Sequence, residues 1–167
     1  MIRQFFTVMA TAAVLSAGCH TQKPVAQNDE TRPVTAGSKL LKTRMATAGR
    51  RLTKDSALLS FTVTNNTSET QRFCKWETPF EPRLGKYFEV KDAQGNEALF
   101  RGAMARRVMP PPPEAYIEVP PHDSISTVVN LADNYSLTAE EYAISYTGGG
   151  VSGLQAGNKI TFKLTRQ

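Results

Sequence analysis

The sequence predicts an all-β domain, an antiparallel sandwich of about eight or nine short strands. Three observations carry this expectation. Apolar and polar residues alternate with period two in several short runs, most clearly in SALLSFTVTN (56–65). Clusters of turn-forming residues such as NNTSE, AQGN and PHD separate those runs. Beyond the first twenty residues, no segment sustains the i, i+3, i+4, i+7 apolar spacing of an amphipathic helix. Strands of this number and spacing fit an architecture that is Ig-like in size.

The elements follow in order. KLLKTRMATA (39–48) is the expected first strand, and SALLSFTVTN (56–65) is the second, with Leu59, Phe61 and Val63 on one face and Ser60, Thr62 and Thr64 on the other. After the NNTSE turn, TQRFCKWE (70–77) reads as a strand that places Arg72, Cys74 and Trp76 on one face and ends before Pro79, since proline removes a ladder donor. KYFEVKD (86–92) leads into the AQGN turn, where Gly95 supplies the positive φ such a turn needs, and EALFRG (97–102) returns from it. Residues 103–115 form a long loop whose four consecutive prolines, 110–113, are expected to hold a polyproline-II course. YIEVPP (116–121), SISTVVNLA (124–132), EEYAISYTG (140–148) and NKITFKLT (158–165) are the remaining strands. Tyr142, Ile144 and Tyr146 share one face, Ile160, Phe162 and Leu164 point inward, and GGGVSGLQAG (148–157) reads as a flexible loop.

The first residues carry a different pattern. Arg3 precedes the apolar run FFTVMATAAVLSA (5–17), which is too short to cross a bilayer as a helix and reads as an export signal. LSAGC (15–19) resembles the lipobox of bacterial lipoproteins, with Ser16 where leucine is more usual. The resemblance implies a signal peptide over 1–18, lipidation of Cys19 and attachment to a membrane through its acyl chains. The alternative is an ordinary cleaved signal with an incidental cysteine. His20 follows Cys19; it is not the aspartate associated with inner-membrane retention in enteric bacteria, so the expected location is the outer membrane of the cell envelope. Residues 19–38 are polar and contain prolines, and they read as the lipidated cysteine and a flexible tether of about 25 Å reach. The β-sandwich domain is then 39–167.

The chain has 167 residues and a formal net charge of +5. That mild basicity suits an anionic envelope or an acidic protein partner, and without any accompanying motif it excludes a nucleic-acid reading. Two cysteines are present, Cys19 and Cys74. With Cys19 lipidated, Cys74 is unpaired, which in an exported protein points to a buried thiol.

The order of motifs CKWETPFE, YFEVKDAQGN, FRGAMARR, PPPEAYIEVPPHDSISTVVNLADNYSL and EEYAISY resembles the N-terminal β-sandwich propeptide domain of deuterolysin-like, lysine-specific metalloendopeptidases, over residues 58–146. The resemblance implies a domain that packs on a protease, assists its folding and covers its active site. It does not extend to catalysis. The zinc-binding His-Glu-x-x-His pattern is missing, and His20 and His122 are the two histidines of the chain.

No catalytic set, metal site or cofactor is therefore expected. His122, Asp123 and Ser124 are neighbours in one turn and cannot converge as a triad. Cys74 beside Trp76 reads as core packing. The strongest candidate is the loop from 101 to 116. Arg101, Arg106 and Arg107 supply charge, Met104 and Met109 apolar contact, and Tyr116 an aromatic, types enriched at protein interfaces. The bland alternative is a structural loop with a basic surface. The function expected is that of a membrane-anchored envelope lipoprotein binding a protein partner, as inhibitor or chaperone of a secreted zinc metalloprotease; the alternative is a non-catalytic adaptor for other envelope proteins.

Overall fold

The computed structural model describes residues 38–165. The expected signal (1–18), the Cys19 lipidation site and the tether as far as residue 37 lie outside the described residues. Ser38, expected as the last residue of the tether, is buried.

The described residues form ten strands: β1 (Leu41–Thr47), β2 (Leu58–Asn65), β3 (Gln71–Cys74), β4 (Phe88–Asp92), β5 (Leu99–Phe100), β6 (Tyr116–Val119), β7 (Ser124–Asn130), β8 (Tyr135–Ser136), β9 (Glu141–Tyr146) and β10 (Ile160–Lys163). All paired strands run antiparallel. One sheet has the order β1-β2-β7 and a second the order β10-β9-β4, while β3 pairs with β6 and β5 with β8. The all-β class expected from the alternation is the class observed.

The core lies between the two three-stranded sheets. Leu59, Phe61 and Val63 of the central strand β2 are buried, as are Tyr142, Ile144 and Tyr146 of the central strand β9. These are the faces that the period-two pattern selects. Phe61 meets Tyr146 edge-on at 4.9 Å and Phe88 of β4 at 6.5 Å between ring centroids, so one side chain of the first sheet touches two strands of the second. Edge-to-face pairs of this kind add roughly 0.5–1.5 kcal/mol each beyond their burial.

Strand ends differ from the expectation where side chains intervene. The run expected as a strand to residue 77 stops at Cys74. The Thr78 hydroxyl donates to the Lys75 carbonyl at 2.6 Å, and Glu77 takes a left-handed φ of 58°, so Trp76 sits on a turn. The strand expected to reach 132 ends at Asn130, whose side chain accepts from the Ala132 N–H and starts a 3-10 turn, Leu131–Asp133. The strand expected over 97–102 shrinks to two residues, paired with a two-residue strand, β8, that the sequence pattern does not announce. The four prolines do not hold one polyproline-II course, for Met109-Pro110 is cis and Pro113 begins a second 3-10 turn, Pro113–Ala115. The glycine-rich segment after β9 is an internally hydrogen-bonded loop in which Gly149 N–H donates to the Leu154 carbonyl at 2.6 Å and Ser152 is buried.

Side chains also close the edges and corners. Asn158 spans the outer edge of β1, accepting from Met45 N–H at 2.7 Å and donating to the Met45 carbonyl at 2.9 Å, in the manner of a neighbouring strand. The Tyr142 hydroxyl accepts from the N–H groups of Thr138 and Ala139, both at 2.7 Å, and so pins the corner that enters β9. The buried Asn65 amide donates to the carbonyls of Glu69, Val119 and Pro120 and accepts from Thr67, tying two turns together.

Two predictions follow from this packing. A Cβ at Gly157 would overlap the Thr43 carbonyl oxygen, a backbone atom that cannot swing away. Gly157→Ala is therefore expected to cost about 1–3 kcal/mol in urea unfolding, by prising the 155–158 segment off β1; an unchanged midpoint would show that the segment is not docked. The second concerns alkaline pH. Burial pushes the phenols of Tyr87 and Tyr146 up to about 12 and raises that of Tyr135 as well. An unfolded tyrosine titrates near about 10. The folded state thus holds its phenolic protons longer, and their contribution is complete below about pH 10 and lost as pH rises towards about 12. The urea midpoint should fall over that window, and a flat profile would mean that the phenols reach water.

Candidate functional site

The segment from β5 to β6 is fixed at both ends and once in the middle. At its start, Arg101 N–H donates to the Asn134 carbonyl at 2.7 Å, and Ala103 exchanges hydrogen bonds with the chain at Arg83 and Gly85. At its end, Ala115 is buried and its carbonyl accepts from Lys75 N–H at 2.8 Å, which continues the pairing of β6 with β3. In the middle, the Arg107 guanidinium lies over the Trp76 ring, 4.7 Å from its centroid, and is ion-paired with Glu81. Both charged groups are largely shielded, with side chains 26% and 17% exposed. This sets the contact apart from the surface ion pairs of the domain, such as Arg83–Asp133 with side chains 74% and 43% exposed, which contribute roughly 0–1 kcal/mol.

Four apolar side chains of this segment point outward. Leu99, Met104, Val108 and Met109 are 68%, 71%, 85% and 60% exposed. They are four of the six large apolar side chains found exposed among the described residues, the others being Leu40 and Val128.

The six residues expected to bind a partner divide into two groups. Arg101, Met104, Arg106 and Met109 face solvent along one segment. Arg107 and Tyr116 are packed into the body, Arg107 over Trp76 and Tyr116 under the Arg72 guanidinium at 5.3 Å, against the Cys74–Trp76–Ala115 cluster. Leu99 belongs to the exposed surface and was expected only as a strand residue. The strand alternation that turns Phe100 onto Tyr135, 5.3 Å between centroids, turns Leu99 out. Arg83 is a second residue without a sequence signal: it lies far from the loop in sequence and is brought to it by the pairing of Leu84 with Ala103.

Cys74 and Trp76 anchor a small cluster that is separate from the main core. Its neighbour Phe73 is the residue of β3 that enters the main core, stacking edge-on with Phe80 at 5.4 Å. Burial pushes the Cys74 thiol up; the backbone hydrogen bond at Trp76 lowers it by less, and the smaller effects of Glu81, which raises it, and Arg107, which lowers it, oppose each other. A thiol raised in this way is a poor nucleophile. His122, Asp123 and Ser124 are consecutive exposed residues, the first two in the turn after β6 and Ser124 at the start of β7. Among the described residues, no group of three or more His, Cys, Asp or Glu side chains is arranged to hold a metal ion.

The contact of Arg107 with Trp76 yields a prediction. Native Cys74 should react slowly with a thiol reagent, and Arg107→Ala should speed its labelling several-fold by loosening the cover over Trp76, at a cost of about 1–2 kcal/mol in stability. Rapid labelling of the unaltered protein would contradict a packed thiol. Comparison of the chain with known protein families finds no match, and comparison with curated proteins finds none.

Proposed function

We propose that this chain is a non-catalytic binding module, an envelope lipoprotein held by lipid on Cys19, whose segment 99–109 docks on a protein partner. One observation carries the reading: four large apolar side chains stand exposed within a single short segment, on a backbone fixed at both ends and pinned at Arg107. Exposed apolar surface concentrated in this way is a feature of interaction sites, and fixing it beforehand lowers the ordering cost of binding. Arg101 and Arg106 flank it and favour an acidic partner surface. The partner class we propose is the one implied by the resemblance to metalloendopeptidase propeptides, a secreted zinc metalloprotease that the module inhibits or chaperones. An Ig-like arrangement of the domain is part of the same proposal. It is supported by the strand orders β1-β2-β7 and β4-β9-β10, which parallel the A-B-E and C-F-G orders of Ig-type sandwiches, and by the Tyr142 corner.

The test is capture with the full chain from envelope and secreted fractions, followed by assay of the captured protein's proteolysis. The expected result is a zinc protease whose activity falls on binding. Val108→Ser with Met109→Ser should weaken that complex by about tenfold or more without lowering the melting temperature, since both side chains are exposed. Capture of envelope proteins alone, with no effect on proteolysis, would replace this reading with the adaptor role. Unchanged affinity in the double variant would remove the segment as the interface.

A further inference from the structure

Beside the apolar segment lies a cleft of about 350 Å³, lined by Arg83, Arg101, Asp133 and Asn134. Its two arginines come from chain segments hydrogen-bonded to one another through Ala103. We infer that this cleft binds a carboxylate. The cleft shares Arg101 with the docking segment but is otherwise built from Arg83, Asp133 and Asn134, and the inference does not depend on the partner proposed for that segment.

Two observations support it. First, the charges are placed and retain open donors. The Arg101 guanidinium donates to the Ala132 carbonyl at 3.5 Å, a long contact that leaves its remaining donors available. The Arg83 guanidinium is 3.7 Å from the Asp133 carboxylate, a loose and solvent-exposed pair that an incoming carboxylate can displace or share. Second, Arg83 is held at φ 75°, a left-handed conformation that costs a non-glycine residue stability and that glycine adopts freely. The bonds from Ala103 N–H to the Arg83 carbonyl at 3.2 Å and from Gly85 N–H to the Ala103 carbonyl at 2.8 Å hold it there. Strain kept at a residue whose side chain lines a cleft points to a use for that side chain.

The charge balance selects the class of anion. Two guanidinium groups and one carboxylate leave the cleft with a single net positive charge, which matches one carboxylate. A phosphate, at about −1.5 to −2, would face Asp133 with too little compensation. Paired guanidinium groups also suit the planar, two-oxygen geometry of a carboxylate. The carboxylate has two natural sources, a free small acid or the C-terminus of a peptide chain.

Isothermal titration of the full chain distinguishes these sources. The probes are succinate, N-acetyl-dialanine with a free carboxylate, its amide, and inorganic phosphate. At least one carboxylate should bind, the amide should not, and Arg101→Ala and Arg83→Gly should each weaken binding by about tenfold. Arg83→Gly should hold or raise the melting temperature even as it loses binding, because it relieves the left-handed strain; this separates a lost ligand contact from a damaged fold. Tighter binding of succinate identifies a free acid as the ligand, and tighter binding of the peptide identifies a chain terminus. Binding of neither carboxylate, binding that survives both substitutions, or tighter binding of phosphate overturns the assignment. A negative result here leaves the Val108 and Met109 experiment standing.

Discussion

The contact on which the rest of the domain depends is that of Phe61 with Tyr146. It joins the central strand of one sheet to the central strand of the other, and Phe88 completes the contact from β4. Neither sheet could bury its apolar face alone, since three strands of this length need a second layer to cover them. The same tyrosine also reaches outward. Its hydroxyl lies 3.1 Å from the Ser152 hydroxyl and donates to the Glu77 carbonyl at 3.3 Å. Glu77 follows Trp76, and Trp76 carries Arg107. A continuous line of contacts therefore runs from the core through one backbone carbonyl to the segment that displays Met104, Val108 and Met109.

Arg106 and Arg107 show how position decides the role of identical side chains. Arg106 is exposed and makes no structural contribution that the packing reveals. Arg107 lies between an indole ring and a carboxylate, both shielded from water, where a cation–π contact is worth up to about 2 kcal/mol. The next residue, Val108, is 85% exposed, so inward and outward side chains follow one another directly at this point of the segment.

Much of the fold was legible because alternation reports burial directly. The buried faces of β2 and β9 follow from period two alone. What the sequence did not disclose depends on distant partners. Cys74 ends its strand because Thr78 and Glu77 shape a turn, and Asn130 ends another by capping the residues after it. The short pair β5 and β8 exists because Phe100 finds Tyr135, a contact with no local signal. For the candidate site, residue type identified the segment but not the direction of each side chain, and so Arg107 and Tyr116 were grouped with residues that face solvent. Arg83 and Leu99 were invisible to motif reasoning, since nothing in a linear pattern brings residue 83 beside residue 101.

The docking segment and the carboxylate cleft meet at residues 99–103. Leu99 is exposed on one side of Arg101, and Leu84, next to Arg83, pairs with Ala103 just beyond it. An apolar surface and a singly charged cleft in such proximity are suited to a peptide that ends in, or carries, a carboxylate next to apolar side chains. The two proposals can succeed or fail separately, yet they place complementary demands on a single ligand. Apolar burial would supply affinity with little directional preference, and the paired guanidinium groups would fix register through charge-assisted hydrogen bonds. A loop that offered only the first would bind many surfaces weakly; in the proposed cleft the left-handed Arg83 would set orientation at some cost in ease of folding.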